Sequence, residues 1–258
     1  MLQFNAETLK ILDASYHGAD ITRRRARNME AVSPRPGERI LDLGCGQGLL
    51  TIELARAVGA TGSVIGVDPS SDMRSKAREL CSDLQNVEIL NGSAGQLPIA
   101  DSSLDAAISL QVFEYLPDIP GALRDLQAKL RSGGRLVVGD MLWDTFCWES
   151  DNPERMSSMM LAWERHVAEK SVPALLPSAL ETAGFLWLET APLTFSATVL
   201  RPDGFPLMLM YLMRAYAIEQ NLLAAEDAND WFEEQVNRSE EGRFFFSLTH
   251  FITKAIRP

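Results

Sequence analysis

Three glycines fall within five residues of the stretch LDLGCGQGLL, residues 41–50, between one apolar run and the next. Glycine loses more conformational entropy on folding than any other residue, so Gly44, Gly46 and Gly48 indicate a bend where another group approaches the main chain closely. An acid, Asp42, stands just before this bend. A strand, a glycine bend and the free N–H groups of a helix start are what a nucleotide-like ligand needs.

The spacing of the glycines separates two classes of nucleotide ligand. A dinucleotide site uses G-x-G-x-x-G, which places a pyrophosphate on the helix N-terminus. Here the pattern is G-x-G-x-G, with Leu49 at the third dinucleotide position, and the carboxylate of Asp42 would repel a pyrophosphate but attract an ammonium group. Asp68 ends the next predicted strand, 20 residues after Gly48, where a carboxylate can accept both hydroxyls of a ribose. S-adenosyl-L-methionine fits this description.

Three stretches, ILDLGCGQG, VIGVDPS and LRSGGRLVVGD, together resemble the class I S-adenosylmethionine-dependent methyltransferases, in matching order and spacing over most of residues 39–140. Two more, SPRPGERILDLGCG and DMLWDTFCWES, are similar to the ubiquinone-biosynthesis-like and arsenite-methyltransferase-like branch of that family. That branch acts on many small molecules. The resemblance therefore implies S-adenosyl-L-methionine as cofactor and a small-molecule methyl acceptor.

The resemblance also implies which residues bind the cofactor. Asp42 and the glycines would line its methionine end, Asp68 would bind the ribose, and Met73 would pack near the adenine. Ser93 stands where family members often have an acid, so its hydrogen bond to the adenine amino group would lack charge assistance. The full implied set is Tyr16, Asp42, Gly44, Cys45, Gly46, Gly48, Asp68, Pro69, Met73, Ser93, Ala94, Leu110 and Gln111.

Methyl transfer from a sulfonium is an in-line displacement, so the protein must hold donor and acceptor within ~3–3.5 Å and exclude water. The ligand crevice of a doubly wound sheet lies at the carboxyl ends of its strands, and segments added there should cover the acceptor. One such segment follows Asp140, and a second is a helical insertion before the last strand, predicted to be a lid. The predicted acceptor-binding residues are Trp143, Phe146, Trp148 and Tyr211, and the Met-rich composition of the insertion favours an apolar or aromatic acceptor.

A general base is needed only if the nucleophile must lose a proton. The candidate catalytic residues are His17, in an N-terminal segment that commonly covers the cofactor in this family, and Glu114, which could orient an acceptor. We expect His166 to lie on the solvated side of a helix, and His250 to be a core or opposite-edge residue far from the reacting methyl group. Cys45 is expected to serve packing. No metal site is predicted, because the three cysteines lack metal-ligand spacing.

The elements that must position these residues alternate between short β-rich runs and longer helical patterns from residue 39 to residue 140. Strands that are apolar throughout indicate a parallel sheet covered on both faces. We predict an α/β fold with a doubly wound and mostly parallel sheet. The resemblance to class I methyltransferases implies seven strands with an antiparallel last strand, and the insertion before it is predicted to be a helical lid. The stretch WDTFCWESDNPERMSSMMLAWERHVAEKSV after the fifth strand is predicted to be a loop followed by a helix.

The order of elements divides the chain into three predicted segments, and the resemblance implies that the first of them covers the cofactor. Residues 1–35 form an N-terminal helical segment that covers the cofactor, residues 36–200 with 243–258 form the cofactor-binding domain, and residues 201–242 form the lid.

Composition excludes some partners. The net charge of −11 argues against a nucleic-acid partner, because phosphate binding needs clustered Lys and Arg. The one basic run, RRRAR at residues 23–27, is expected to lie mostly on a solvated helix face; the alternative is that one arginine reaches an anionic group of a ligand. No apolar run approaches the ~20 residues of a membrane span, and the N-terminus lacks a signal-peptide pattern, so we expect a cytoplasmic protein.

The leading hypothesis is a methyltransferase acting on a small, largely apolar or aromatic metabolite at oxygen, nitrogen, carbon or sulfur. Two alternatives remain open at this stage. One is an S-adenosylmethionine-binding protein without catalysis, and the other is an NAD-dependent oxidoreductase.

Overall fold

The computed structural model describes residues 6–258, so the first five residues of the predicted N-terminal segment lie outside the described range. Its strands are β1 Arg39–Leu43, β2 Ser63–Asp68, β3 Val87–Asn91, β4 Leu104–Leu110, β5 Leu130–Trp148, β6 Leu186–Ala197 and β7 Phe246–Ile256. Its helices are α1 Ala6–His17, α2 Ala19–Val32, α3 Leu49–Val58, α4 Ser71–Leu80, α5 Ile119–Lys129, α6 Pro153–Glu164, α7 Val172–Thr182, α8 Phe205–Glu219 and α9 Ala225–Glu240.

The strands form one sheet in the order β3-β2-β1-β4-β5-β7-β6. The pairings of β1 with β2 and β4, of β2 with β3 and of β4 with β5 are parallel. In contrast, Arg257 accepts from Gly133 N–H at 2.8 Å through its carbonyl oxygen and donates its own N–H to Gly134 O at 2.9 Å, which is an antiparallel pattern. The predicted doubly wound sheet with an antiparallel last strand is confirmed.

Two clusters of buried apolar side chains fill the space on the two faces of the parallel strands. Leu41 and Leu43 of β1 belong to the cluster packed under α5 and α7. The intervening Ile40 belongs to the cluster packed under α3, together with Leu54. Alternate residues of a strand point to opposite faces, so an apolar run with no polar alternation is covered on both sides, as the sequence predicts.

Contacts divide the chain into two compact units. The first contains the described residues up to Arg24, with Trp143–Lys170 and Thr194–Thr249. The second contains Arg25–Leu142, Ser171–Leu193 and His250–Pro258. None of the helices in residues 6–258 is both long and apolar enough to cross a bilayer.

The loop predicted after the fifth strand is wrong, because β5 continues without a break to Trp148. Its distal part finds backbone partners far along the chain. Glu149 N–H donates to Phe245 O at 3.1 Å, and Thr249 N–H donates to the Thr145 hydroxyl oxygen at 3.0 Å. These partners are about 100 residues away in sequence, which is why the local pattern alone did not reveal the strand.

Local capping fixes where the helices next to the candidate site begin. The Ser70 side-chain oxygen accepts from Met73 N–H at 3.4 Å and starts α4, while Asp118 Oδ1 accepts from Gly121 N–H at 2.9 Å and starts α5. Each replaces a missing helical partner of a first-turn N–H group. The helix α3 has no such side chain, and begins instead after Gly48, whose φ is 89°.

Candidate functional site

The strand register of the second unit brings the predicted cofactor residues to one edge of the sheet. Leu43 of β1 is level with Val67 of β2 and Ser109 of β4, and Leu110 of β4 is level with Gly139 of β5. The carboxyl ends of these parallel strands therefore meet, and the strand order changes direction between β1 and β4. Such a switch point is where open α/β sheets bind their ligands.

The glycine bend after β1 needs its glycines for two different reasons. At Gly44, φ is +72° and an added Cβ would lie 2.2 Å from Val112 Cγ2, so a side chain has neither the conformation nor the room. At Gly46, φ is +52° but an added Cβ would meet no atom of the described residues within 4 Å. The main chain at Gly46 therefore faces open space, as close approach of a ligand requires.

Asp68 ties this bend to the end of β2. Its Oδ2 accepts from Gly46 N–H at 2.9 Å, and its Oδ1 accepts from Ser70 N–H at 2.8 Å. The carboxylate is 8% exposed, and its oxygens are held in a fixed orientation by two main-chain donors. A ribose diol is a donor pair of the same kind, so Asp68 and the open backbone at Gly46 fit the predicted nucleoside ligand.

Asp42 lies deeper than the bend itself. Its carboxylate is 1% exposed and its Oδ2 accepts from the Thr51 hydroxyl at 2.6 Å. Burial raises the pKa of Asp42 from 3.8 to about 7; the Thr51 hydrogen bond lowers it, and the neighbouring charge of Asp68 raises it further. A cationic ligand nearby would favour the ionised form of this acid.

The predicted adenine-side residues are more exposed. Pro69 is exposed and Met73 is half-buried in the first turn of α4. Ser93 is exposed and its carbonyl oxygen accepts from Gln96 N–H at 3.3 Å, while Ala94 packs against the apolar core. These four residues follow β2 and β3, as the prediction requires.

The turn after β4 carries a strained residue and a buried acid. Gln111 has a φ of +59°, unusual for a residue with a side chain. Its N–H donates to Gly139 O at 2.6 Å, and its Nε2 donates to Glu114 Oε1 at 3.1 Å. Glu114 is fully buried and its N–H donates to Asp140 Oδ1 at 3.3 Å. Gln111, Glu114 and Asp140 thus form one hydrogen-bonded group beside Leu110.

Cys45 is buried inside the bend. Its Sγ lies 3.0 Å from where a Cβ on Gly66 would be, so the thiol fills the space over the β2 backbone. Burial raises the pKa of Cys45, and the charges of Asp42 and Asp68 raise it further. A neutral, buried thiol agrees with the predicted packing role.

The remaining predicted site residues belong to the first unit. Tyr16 and His17, at the end of α1, are exposed, and His17 O accepts from the Thr22 hydroxyl at 3.4 Å. The predicted acceptor residues of β5 do lie together: the ring centroids of Trp143 and Phe146 are 5.8 Å apart and those of Phe146 and Trp148 5.6 Å.

Tyr211 comes from α8 instead. It packs edge-to-face against Phe232 with ring centroids 5.0 Å apart, and the Arg214 guanidinium lies over both rings.

The expected solvated position of His166 is wrong. Its ring stacks on Trp163 with centroids 3.7 Å apart and meets Trp143 edge-on at 5.0 Å. Burial lowers the pKa of His166 to about 4, against a smaller opposite effect of the Trp163 carbonyl. The structure places His166 just after α6 and not on the polar side of a helix, and its aromatic partner on β5 comes from tertiary folding.

His250 is a core residue as expected, but it does not lie at the opposite edge. Its Nε2 is 3.0 Å from Asn28 Nδ2, and it lies against Gly139, the residue level with Leu110 at the carboxyl end of β4. The sequence analysis placed His250 far from the ligand edge because it assumed that the last strand starts at that edge. In the structure, β7 starts beside the extended end of β5, so His250 lies level with the edge.

The solvated face expected for the RRRAR run is only partly correct. Arg24 and Arg25 are buried, and Arg25 pairs with Glu53 at 2.8 Å. Arg23 donates to Thr194 O at 3.1 Å and its guanidinium lies 5.6 Å from the centre of the Phe195 ring. Arg27 forms an exposed pair with Glu30. Burial of Arg24 and Arg25 depends on neighbours that the helical pattern does not show.

Three residues at this edge were missed by the sequence reasoning. Thr51 bonds Asp42, Val112 closes over Gly44, and Asp140 accepts from Glu114. Asp140 carried the same signal as Asp68, an acid ending an apolar strand. Thr51 and Val112 are ordinary in sequence and are recognised only by contact. Among the side chains described, those of residues 10–258, no three of His, Cys, Asp or Glu are grouped so as to hold a metal ion.

Comparison with known proteins gives a family for this region. Residues 41–138 match the family described as "Methyltransferase domain". The chain is 34% identical over 235 residues to an uncharacterized 37.1 kDa protein in a transposon of Streptomyces fradiae, covering 88% of this chain and 65% of that protein. It is 37% identical over 162 residues to an arsenite methyltransferase of Halobacterium salinarum, covering 61% of this chain and 39% of that protein. The chain thus spans less than two thirds of these relatives.

Solved structures agree on the fold. The YcgJ protein of Bacillus subtilis superposes with a TM-score of 0.65 at 16% identity, over 92% of this chain and 98% of that one. A geranyl diphosphate methyltransferase in complex with geranyl diphosphate and sinefungin superposes with a TM-score of 0.57 at 17% identity, over 92% and 78%. At these identities the likeness concerns the fold alone.

Proposed function

Residues 41–138 form a class I S-adenosylmethionine-dependent methyltransferase domain, and from this premise we propose that the chain transfers a methyl group from S-adenosyl-L-methionine to a small, largely apolar or aromatic metabolite. One observation carries the proposal. The open backbone at Gly46, bonded to Asp68 at 2.9 Å, offers a nucleoside both a close main-chain approach and an oriented carboxylate. The glycines of residues 44–49 do not follow the G-x-G-x-x-G pattern of a pyrophosphate site.

Each predicted cofactor residue keeps its role within this proposal. Asp68 receives the ribose hydroxyls, and Asp42 holds the bend through Thr51 while supplying negative charge near the methionine ammonium. Met73 and Ser93 contact the adenine. The complete proposed set is Tyr16, Asp42, Gly44, Cys45, Gly46, Gly48, Asp68, Pro69, Met73, Ser93, Ala94, Leu110 and Gln111.

When bound, the cofactor would supply a sulfonium methyl group, whose carbon an acceptor nucleophile attacks in line while the C–S bond breaks and the neutral thioether leaves. The chain has to align the acceptor within ~3–3.5 Å of that methyl group and keep water away. Gln111, held in a left-handed conformation by the Gly139 carbonyl, fixes the turn after β4. Glu114 beside it orients an acceptor hydroxyl or amine and takes its proton where one must leave. His17 is kept as a second candidate for that task.

The acceptor contacts Trp143, Phe146, Trp148 and Tyr211 in this proposal, because large aromatic surfaces bind flat apolar molecules. Residues 1–35 cover the cofactor, residues 36–200 with 243–258 bind it, and residues 201–242, which include α8 and α9, act as the lid. These assignments follow from the resemblance in sequence, and each can be tested by substituting the residues named.

The test begins with calorimetric binding of S-adenosyl-L-methionine to the full chain. Asp68→Asn should weaken binding by about 10- to 100-fold, since a hydrogen bond to a charged group contributes about 1.5–3 kcal/mol. The control is Asp72→Asn, an exposed acid four residues later, in the first turn of α4. Equal affinity of wild type and Asp68→Asn would contradict the proposed ribose contact.

Catalysis is tested by transfer of labelled methyl from the cofactor to a panel of small aromatic and apolar acceptors. Transfer to at least one of them is expected. Cofactor binding with no transfer to any acceptor would favour a silent binding protein. Tight binding of NADH in place of S-adenosyl-L-methionine would favour the oxidoreductase alternative.

A further inference from the structure

The buried side of α9 is unusually polar for a helix side that is closed off from solvent. Trp231 and Gln235 lie one turn apart on that side and are both 0% exposed, and Arg238 follows at 7%. Residues four positions apart on a helix share a face. The side chain of Trp148, at the end of β5 and 6% exposed, packs on Trp231 with ring centroids 5.4 Å apart.

Several polar atoms on this face of α9, or on the side chain packed against it, have no hydrogen-bond partner among the described residues. They are Trp148 Nε1, Trp231 Nε1, Gln235 Oε1 and Arg238 Nε. A buried donor or acceptor left without a partner costs about 1–3 kcal/mol, and native chains hold few of them. We name Trp148, Trp231 and Gln235 the indole–amide patch. The acceptor on Gln235 and one N–H donor on Trp231 lie one turn apart on α9, and the second donor is on Trp148, which packs on Trp231. Together they suggest that a ligand supplies the missing partners.

The rings around the patch make its setting apolar. Trp148 meets Phe246 edge-to-face with centroids 4.9 Å apart and Phe244 at 6.0 Å. A polar ligand group in such surroundings gains from each hydrogen bond, because no water competes for it. An aromatic ligand would replace ring contacts of the same kind.

A cavity of about 330 Å³ lies on the adjoining side of α9. Gln235 Nε2 donates at 3.5 Å to Glu234, which lines the cavity, and the Arg238 guanidinium bonds Asp151, which also lines it. Five acids but only two arginines line this cavity. Anionic ligands such as carboxylates and diphosphates are therefore disfavoured by charge.

We propose that the indole–amide patch binds an uncharged aromatic ring bearing a hydroxyl group, which enters from the acidic cavity. The hydroxyl hydrogen is donated to Gln235 Oε1, and the hydroxyl oxygen accepts from an indole N–H of Trp231 or Trp148. Because the patch is closed in this structure, binding requires α9 to move away from Trp148. Identifying this ligand as the methyl acceptor rests on the proposed function; the binding site itself does not.

The direct test follows the indole N–H signals of the full chain by ¹⁵N-edited NMR, with 2-naphthol as the probe. The five tryptophans give separable indole signals, assigned with Trp→Phe variants. The signals of Trp148 and Trp231 should move on titration. Trp187 is the internal control, because its Nε1 already donates to the Thr190 hydroxyl at 3.2 Å. Movement of the Trp187 signal alone, or of none, overturns the proposal.

Matched probes and variants test the hydrogen bond to Gln235. The probe 2-methoxynaphthalene lacks the donated hydrogen and should bind about tenfold more weakly than 2-naphthol, and 2-naphthoate should bind more weakly still. Gln235→Leu should abolish the preference for 2-naphthol while leaving the unfolding temperature of the ligand-free chain unchanged or higher, since an unpartnered oxygen is removed. The control is Gln220→Leu, an exposed position directly after α8.

The outcomes separate this proposal from the proposed function. Equal binding of 2-naphthol and 2-methoxynaphthalene, or full affinity in Gln235→Leu, overturns the patch even if the chain methylates aromatic acceptors. Binding of 2-naphthol at the patch without methyl transfer to any acceptor of the panel overturns the proposed function and leaves the binding site standing.

Discussion

Two carboxylates at the same sheet edge differ in their surroundings. Asp68 accepts from two main-chain N–H groups, so its two oxygens are held in place by fixed donors. Asp42 is almost completely buried and accepts from the Thr51 hydroxyl. Asp68 therefore presents oxygens of fixed orientation, whereas the buried charge of Asp42 is costly in the absence of a cation.

The raised pKa of Asp42 predicts how stability depends on pH. The native state binds this proton more tightly than the unfolded state, so the free energy of unfolding should fall as pH rises from about 4 to 7, by up to about 4 kcal/mol from this group. Urea unfolding at a series of pH values measures it. Asp42→Asn should lack this fall, so the difference between variant and wild type grows with pH. A constant difference would contradict the raised pKa.

The glycine bend yields a prediction that separates folding from binding. Gly44→Ala meets Val112 and a left-handed backbone, so it should destabilise the fold by about 2–3 kcal/mol. Gly46→Ala pays only the backbone cost of about 1 kcal/mol, but its methyl group enters the open space, so cofactor affinity should fall at least tenfold. Urea unfolding and calorimetry measure the two effects. If Gly46→Ala bound the cofactor like wild type, no ligand would approach there.

At the scale of elements, the continuation of β5 to Trp148 matters most. It places Trp143, Phe146 and Trp148 on a strand instead of a loop, where each is held by neighbouring rings. It also gives α6 its aromatic partner: Trp143 meets Trp163 with ring centroids 6.0 Å apart, next to His166. A rigid strand orients these rings better than a loop would.

The stack of His166 on Trp163 predicts a second pH effect of opposite sign. Because the folded-state pKa is lowered to about 4, the unfolded state binds more protons between about 4 and 6.5, and stability should rise with pH over that interval by up to about 3 kcal/mol. His166→Phe keeps the stacked ring and should remove the rise. Urea unfolding of both proteins between pH 4 and 7 provides the measurement. A rise that persists in His166→Phe would assign it to another group.

At the scale of the whole molecule, the charge of −11 is the dominant feature. The acidic surface leaves few places where phosphates are attracted, and of the RRRAR run, Arg25 and Arg27 pair with acids while Arg23 binds a carbonyl and a ring. The predicted cytoplasmic location stays a prediction, and so does the absence of a nucleic-acid partner.

The charge predicts that duplex DNA does not bind. In an electrophoretic mobility assay at about 150 mM salt, a condition where exposed charges are screened beyond about 8 Å, the DNA band should not shift at micromolar protein. The assay is repeated at about tenfold lower salt, where a basic patch would bind most strongly. A complex that forms at low salt and dissolves as salt is added would reveal such a patch.

The sequence by itself determined the parallel α/β sheet, the glycine bend and the pair Asp42 and Asp68. Each of these depends on local physics: apolar runs that must be covered on both faces, a spacing that only glycine tolerates, and acids that end strands. Because parallel strands end at one edge, those residues were also predicted to meet. This much of the fold and of the proposed cofactor site follows from the sequence.

The tertiary structure alone decided the length of β5, the level of His250 beside Gly139, and the burial of Arg24, Arg25 and His166. It also decided which residues support the site, since Thr51 and Val112 carry no signal of their own. These features arise from partners 30 to more than 200 residues away in the chain, as between Asn28 and His250. A local pattern states what a segment prefers, whereas burial and pairing depend on what the rest of the chain places against it.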